Sequence, residues 1–504
     1  MRPPPDLPNG PPNGPPGDPP GDPSGDPSSF PPAGPITTRG LFARAAALAA
    51  DYRELTADPI DKPLSYAEAL TRFAAPTPET GADAETVLRD LAAAATPGLR
   101  AMTGPRFFGW VIGGSDPMGV AADMLTAAWG QNAGNHVASP SAAAAETVAA
   151  SWLLDLLDLP RESSVGFVTG ATAANFVGLA AARGAVLKRV GWDVNARGLF
   201  GAPPIHVLIG DDAHTTVFSA LQFLGLGHDR VIRVATNDQG AIDPDAFAAA
   251  IRDLSGPMIV ATQAGQLNTG AFDPLDKIIP LAHEKSAWVH VDGAFGLWAR
   301  ANPANAHLAA AIGRADSWAT DGHKWLQTPY DCGYAIVRDA DAHRDAMTIA
   351  ASYLPPVAAG ERDPSHFVPE LSRRARGFAT YAMIRHLGRA GIAGMIAHHV
   401  GLAAGMARDL AALPGARVLN NVVLNQIIVA FGSGEEADRQ TQAVIAKTQE
   451  DGVLFAGGAR WRGQWVMRLS VISGATTQLD ADRTVAAIAA AWHGVRGANG
   501  SGIG

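Results

Sequence analysis

Between residues 165 and 339 one rhythm recurs: a short apolar run, a break of glycine or small polar residues, then a helical stretch. The runs are VGFVTG from 165, IHVLIGDD from 205, RVIRVAT from 230, MIVATQAG from 258, AWVHVDGAFG from 287 and GYAIVRD from 333. Helical spacing fills 173–189, 215–224, 243–254 and 274–285 between them. Strands that alternate with helices are joined by crossovers, which predicts a mostly parallel sheet covered on both faces. Ligands of such sheets gather near the carboxyl ends of the strands.

The rest of the chain obeys other rules. Residues 1–35, opening MRPPPDLPNGPPNGPPGDPPGDPSGDPSS, repeat a Pro/Gly/Asp/Asn theme with almost nothing to bury, so they are expected to be a disordered tail. Helical patterns in GLFARAAALAADYREL and AETVLRDLAAAA make 36–115 an N-terminal helical arm rather than a complete domain. A large α/β domain is expected over 116–355, opening with helical segments around DPMGVAADML and AETVAASWLLDLLDLP. A long helix near 377–412, a strand in NQIIVAF, a helix near 436–450, a strand in WVMRLSVIS and a helix near 480–493 then predict a small C-terminal α+β lobe over 356–495. Residues 496–504 complete the chain as a flexible tail.

Composition narrows the classes of function. With 47% hydrophobic and 17% charged residues the chain suits a soluble globular protein with a large core. Its net charge of −9 argues against a nucleic-acid partner, and SRRAR at 372–376 reads as a solvated or ion-paired helix start. Cys332 is the only cysteine, which excludes an intrachain disulfide and a cysteine-rich metal site. No uninterrupted apolar run approaches the roughly 18 residues of a membrane span, and the N-terminus lacks a signal-peptide pattern. A cytoplasmic protein without a membrane partner is the expectation. No metal is expected either: His398 and His399 are adjacent on a helix and point apart, and HEKSAWVH lacks ligand spacing. No GxSxG elbow or Walker-type loop occurs.

Four stretches carry chemistry. In HVDGAFG, 290–296, Asp292 should end a strand with room beside it; it can bind a cationic ring nitrogen, act as a base, hold a metal, or cap the next turn. In SWATDGHKWLQTPYDCG, 317–333, Lys324 comes just after another short strand-like run and 32 positions after Asp292, far enough for one helix and return. It is either a nucleophile freed by desolvation or a snorkelling surface lysine, and its apolar and histidine neighbours favour the former. In FVTGATAANFVGLAAAR, 167–183, a strand ends, Gly170 turns the chain and a helix opens at Ala171, Thr172 and Ala173; open backbone N–H groups and the Thr172 hydroxyl suit an anion. His214, in GDDAHTTVF, closes another strand and is by itself either a satisfied polar residue or a catalytic one.

Taken in this order, the four stretches resemble the pyridoxal-phosphate-dependent group II amino acid decarboxylases, the family of the aromatic-amino-acid, histidine and glutamate decarboxylases, over about 100–495. The resemblance implies an aspartate-aminotransferase-like fold (fold type I of the pyridoxal-phosphate enzymes) and pyridoxal 5'-phosphate as cofactor. It implies that Lys324 forms the Schiff base with the cofactor aldehyde and that Asp292 pairs with the pyridinium nitrogen. His214 would stack on one ring face and Ala294 pack on the other. Ala171, Thr172 and His323 would hold the phosphate. TIAASYLPP, 348–356, resembles the family's mobile catalytic loop and places Tyr353 where a tyrosine returns a proton to the substrate α-carbon; an ordinary loop aromatic is the alternative. Arg468, in WVMRLSVIS, stands where relatives hold a substrate carboxylate, a structural salt bridge being its competing role.

The chain also departs from the family pattern. Gln266 and Leu267, in QAGQLNTGAFDP at 263–274, replace a pair of threonines common there, and Asp321 replaces an asparagine. A carboxylate close to a phosphate is unfavourable unless it turns away or is paired. In PRFFGWVIGG, 105–114, Phe108 and Trp110 could receive an apolar or aromatic substrate side chain or belong to the core. The resemblance thus implies decarboxylation of an L-amino acid, with a weak preference for a hydrophobic or aromatic one, in a homodimer that shares its active sites. The rivals are another enzyme of the same fold (an aminotransferase, a lyase or an aldehyde-forming deaminase) and a catalytically silent binding relative.

Overall fold

The computed structural model describes residues 36–56, 62–348 and 361–500. Three helices come first: α1 (Thr38–Leu55), α2 (Tyr66–Phe73) and α3 (Ala84–Ala95). Each starts from a side-chain cap, in which Thr37, Ser65 or Asp83 accepts a backbone N–H of the first turn. None of the three buries a residue within this chain.

Helices α4 (Pro117–Trp129) and α5 (Pro140–Leu156) lead into the sheet region. Its elements are β1 (Ser164–Val168), α6 (Ala171–Lys188), α7 (Val194–Arg197), β2 (His206–Gly210), α8 (Thr215–Phe223), β3 (Ile232–Val234) and α9 (Pro244–Ile251). They continue with β4 (Met258–Gln263), α10 (Leu275–Glu284), β5 (Trp288–Asp292), β6 (Ser317–Asp321), β7 (Gly333–Val337) and α11 (Ala340–Met347). The strand order is β1-β7-β6-β5-β4-β2-β3. Only β7 runs antiparallel to its neighbours, β1 and β6; the other pairs are parallel, as the crossover rhythm requires. Every residue of β4, β5, β6 and β7 is buried, so both faces of the sheet's centre are covered.

The β5–β6 connection differs from expectation. Three 3₁₀ turns, Gly296–Ala301, Ala306–Ala309 and Ile312–Arg314, stand where the sequence spacing leaves room for a helix. Asn302 explains the break: its side chain accepts the Ala304 N–H at 2.8 Å, and its carbonyl accepts those of Asn305 and Ala306. Pro303 follows it directly.

The C-terminal part comprises α12 (Arg376–Ala411), β8 (Ala416–Val418), β9 (Gln426–Phe431), α13 (Ala437–Glu450), β10 (Gly457–Trp461), β11 (Gln464–Ser470) and α14 (Gln478–Gly500). Its antiparallel sheet has the order β10-β11-β9-β8 and carries its own core of Phe431, Met467, Leu469 and Trp492, which Phe108 joins. By length and mean hydropathy α12 could cross a membrane, a property that run-by-run reading passes over. Here it is kinked at Gly388 (φ 62°) and buries Ile392, Ile396, Leu402 and Met406 against the two cores. SRRAR at its start is paired: Arg373 meets Glu146 at 2.6 Å, Arg374 meets Asp123 at 2.7 Å and Arg376 meets Asp331 at 2.8 Å.

Three histidines are held neutral inside this framework. Burial pushes His290 and His343 down to about 3 and His399 down to about 4. Burial also pushes the Asp273 carboxyl up to about 7, although it accepts the N–H groups of Ile242 and Gln263. Below an unfolded value of ~6.5 the unfolded chain binds protons that the three folded imidazoles refuse, so acidification costs stability. Asp273 works the other way from about 7 down to its unfolded value of ~4, where the folded state holds the extra proton. Three against one should leave a loss of ~2–3 kcal/mol per pH unit between pH ~6 and ~5 from these groups. Denaturant melts over that range should show it, and His343→Gln should make the slope shallower; a flat or rising stability would contradict the assignment.

Candidate active site

The site assembles where β1, β5 and β6 end. Gly170 precedes α6 and offers no side-chain cap. A Cβ there would stand 3.1 Å from His323 Cε1 and 3.3 Å from Asp321 Oδ1, so the bare backbone is what lets the start of α6 approach the Lys324 segment. Gly333 of β7 does the same on the other side: its Cβ would lie 2.5 Å from Gly170 Cα. Ala171 donates its N–H to Asp321 Oδ1 at 2.6 Å. Among the described residues the N–H groups of Thr172 and Ala173 and the Thr172 hydroxyl have no protein acceptor or donor facing them, which leaves a helix N-terminus ready for an anion.

Asp292 is the last residue of β5. Its Oδ1 accepts the Ala294 N–H at 3.2 Å and its Oδ2 accepts Asn175 Nδ2 at 3.2 Å. Lys324 comes three residues after β6, with Nζ 3.0 Å from Asp321 Oδ2 and 5.9 Å from the centre of the Phe295 ring. Its segment is held from several sides. Trp325 donates its indole N–H to His399 Nδ1 at 2.9 Å. Gln327 donates to the Lys324 carbonyl at 2.8 Å and to the Ile472 carbonyl at 2.7 Å, and accepts the N–H groups of Gly114 and Gly474. A Cβ on Gly113 would fall 2.3 Å from the Lys324 carbonyl oxygen, so PRFFGWVIGG packs directly on the lysine's backbone.

His214 caps α8, its Nδ1 accepting the Thr216 N–H at 3.3 Å. Burial keeps its ring below the usual histidine range; Asp292 opposes that shift, while Lys324 and Arg468 add to it. His323 is likewise held low by burial, with Nε2 3.6 Å from Asp321 Oδ1 and its ring centre 4.2 Å from that of Tyr330.

These groups line one cavity of about 350 Å³, a volume within the range of small-molecule sites. Ala171, Thr172, His323 and Lys324 face it, as do His214, Asp292, Ala294 and Trp110. Larger depressions exist, such as one of about 1010 Å³ beside Trp192, but they converge no comparable chemistry. Trp110 and Phe108 part company: Phe108 is core, whereas Trp110 is half-exposed at the cavity and packs 5.1 Å from the Phe455 ring. Trp110 and Val111 both take left-handed backbone (φ 54° and 57°), a costly pair of conformations that sits at the site. Arg468 lies on β11, 9% exposed, with Asn268 Oδ1 at 3.2 Å. Among the described residues no carboxylate pairs with it. Tyr353 lies outside the described residues.

Of the departures, Leu267 faces the cavity while Gln266 turns away and braces residues 268 and 269 through their N–H groups. Asp321 does not turn away; it is bracketed by the Lys324 ammonium, the Ala171 N–H and His323. Asn175, Thr216, Phe295 and Tyr330 were not foreseen. Asn175 alone left a readable trace, as a polar residue four after Ala171 in an otherwise small and apolar helix.

The residues fit pyridoxal phosphate: an open helix N-terminus for its phosphate, a fixed carboxylate for its ring nitrogen, an amine between them and a neutral imidazole alongside. Comparison with known proteins agrees. A family model described as the pyridoxal-dependent decarboxylase conserved domain matches residues 67–431. The chain is 26% identical over 413 residues to an aromatic-L-amino-acid decarboxylase of Bacillus atrophaeus, covering 79% of this chain and 84% of that one. It is also 26% identical over 409 residues to a phenylacetaldehyde synthase of Arabidopsis thaliana, covering 76% and 81%. Its fold superposes on the crystal structure of Oryza sativa TDC with PLP and tryptamine with a TM-score of 0.84 at 22% identity, over 92% of this chain and 99% of that one. The chain therefore belongs to the pyridoxal-dependent decarboxylase family and is a pyridoxal-phosphate-dependent carboxy-lyase of fold type I.

Proposed function

We propose that this enzyme decarboxylates an L-amino acid with an apolar or aromatic side chain, releasing the amine and carbon dioxide. The observation that carries the reading is the convergence of Lys324, Asp292 and His214 on one cavity beside the open start of α6. When bound, pyridoxal phosphate supplies a conjugated sink for the electrons left by the departing carboxylate. Lys324 offers the ε-amine that anchors it covalently. Asp292, oriented by Ala294 and Asn175, would pair with the ring nitrogen and favour its protonated form. The open N–H groups of Thr172 and Ala173, the Thr172 hydroxyl and His323 would hold the phosphate, whereas the Ala171 N–H is already taken by Asp321; His214 and Ala294 would flank the ring. Arg468, a buried guanidinium with no carboxylate partner among the described residues, offers a fork for the substrate carboxylate. Trp110, Leu267 and Phe295 give the cavity its apolar lining, which favours an uncharged side chain. Tyr353 is assigned the proton return to the α-carbon on family resemblance alone.

The same resemblance extends to aldehyde-forming relatives, so the product decides between them. Incubation of the loaded enzyme with each common amino acid should yield an amine and carbon dioxide in equal amounts from one or a few apolar substrates. An aldehyde with peroxide, or a keto acid, would overturn the reading. In Arg468→Met, the loss of a hydrogen-bonded charge pair should raise the substrate concentration needed at least ~10-fold.

A homodimer belongs to this proposal. The arm exposes Phe42, Leu55, Tyr66, Leu70 and Phe73, and α4 exposes Met124, Leu125 and Trp129, more apolar surface than an isolated chain usually leaves open. A second copy would cover these faces. Sedimentation should give twice the 52.1 kDa chain mass; a stable monomer at assay concentrations would contradict it.

A further inference from the structure

Beneath the cavity floor runs a chain of hydrogen bonds that none of these roles uses. Trp288 Nε1 lies 2.8 Å from Ser317 Oγ, and Ser317 Oγ lies 2.8 Å from His290 Nδ1. His290 Nε2 lies 2.9 Å from Asn175 Oδ1. Asn175 Nδ2 reaches Asp292 Oδ2 at 3.2 Å and Thr216 Oγ1 at 3.3 Å, and Thr216 Oγ1 lies 2.8 Å from His214 Nδ1. Trp288, Ser317, His290 and Asn175 are buried, so water does not compete for these partners.

The two ends fix the direction of every link. An indole N–H can only donate and a carboxylate can only accept. The Asp292 carboxylate takes the Asn175 amide N–H, so Asn175 Oδ1 faces His290 Nε2 and must accept from it; Ser317, which accepts from Trp288, is then the donor to His290 Nδ1. His290, neutral in its dry site, then carries its proton on Nε2 and donates to Asn175 Oδ1. That orientation turns the Asn175 amide nitrogen toward Asp292 and Thr216. Thr216, accepting from Asn175, is free to give its hydroxyl proton to His214 Nδ1, which also accepts the Thr216 backbone N–H. The proton of neutral His214 is thereby left on Nε2.

We infer that Asn175 is a positioning residue: it locks the Asp292 carboxylate from below and, through Thr216, sets the tautomer of His214, so that one amide aligns both groups assigned to the cofactor ring. The meaning for catalysis rests on the function proposed above, whereas the proton positions do not. Leucine at 175 would keep the shape and lose every bond. Aspartate would still accept from His290 but would set an oxygen against Asp292, until a shared proton restores the donor.

The test has two parts. In the cofactor-free protein labelled with ¹⁵N-histidine, NMR should show both His290 and His214 as neutral Nε2–H tautomers near pH 8. An Nδ1–H tautomer at His290 would overturn the chain. Titration of the same protein with pyridoxal phosphate, followed by absorbance, should then show at least about tenfold weaker binding in Asn175→Leu. In Asn175→Asp the deficit relative to the unsubstituted protein should shrink from pH 8 to pH 6, a trend the leucine variant lacks. Ser317→Ala, which cuts the far end only, should bind within about threefold of the unsubstituted protein, whereas a merely structural network would weaken all three alike. Unchanged binding in Asn175→Leu would overturn the inference. If the unsubstituted protein took up no pyridoxal phosphate, the proposed function would fall while the tautomer result stood.

Discussion

The parallel pairing of β5 with β6 is the constraint on which the site depends. His290, Val291 and Asp292 sit opposite Ser317, Trp318 and Ala319, so two neighbouring strands, ~4.8 Å apart, leave the sheet at the same edge. A carboxylate at the end of one and a lysine just past the end of the other must then face one cleft, though 32 positions separate them in sequence. The antiparallel β7, inserted between β6 and β1, completes the arrangement. Its Gly333 pairs with Asp321 and leaves room for Gly170, which brings the start of α6 against the lysine segment. Carboxylate, amine and anion-ready helix are thus held by backbone register rather than by loops, as a preorganised site requires.

Asp321 shows how the chain accommodates an acidic group in this place. An unpaired carboxylate beside a phosphate would repel it. This one is almost fully buried yet bracketed by an ammonium, a backbone N–H and an imidazole. It aligns Lys324 and the first turn of α6 at once, so its charge is compensated where it stands. Gln327 and His399 do related work from outside the cavity, tying the lysine segment to the C-terminal lobe and to α12. The two lobes are therefore coupled through the residues flanking Lys324.

Much of this was legible because strands and crossovers print strong periodicities. Each apolar run from 165 onward became a strand, and Asp292 could be placed at a strand end and Lys324 just past one before any side chain was located; His214, read as closing a strand, instead lies four residues past β2 and caps α8. What stayed hidden depends on partners distant in sequence. β8 has three residues, and β10 opens on Gly457 and Gly458, too little pattern to mark a strand. Phe108 and Trp110 look equivalent in PRFFGWVIGG, yet a left-handed turn sends them to a core and to a cavity. Arg468 cannot be told from half of a salt bridge in the sequence alone, because its hydrogen-bond partner, Asn268, lies 200 positions away. Asn175, inside an alanine-rich helix, gained meaning only when Asp292, Thr216 and His290 closed around it.

All of this requires that Lys324, and no other amine, be joined to the cofactor. Borohydride reduction of the reconstituted enzyme followed by peptide mapping tests that directly. The account predicts a pyridoxyl label on Lys324 alone, lost in Lys324→Ala. A label on any other residue, or none after reconstitution, would contradict it.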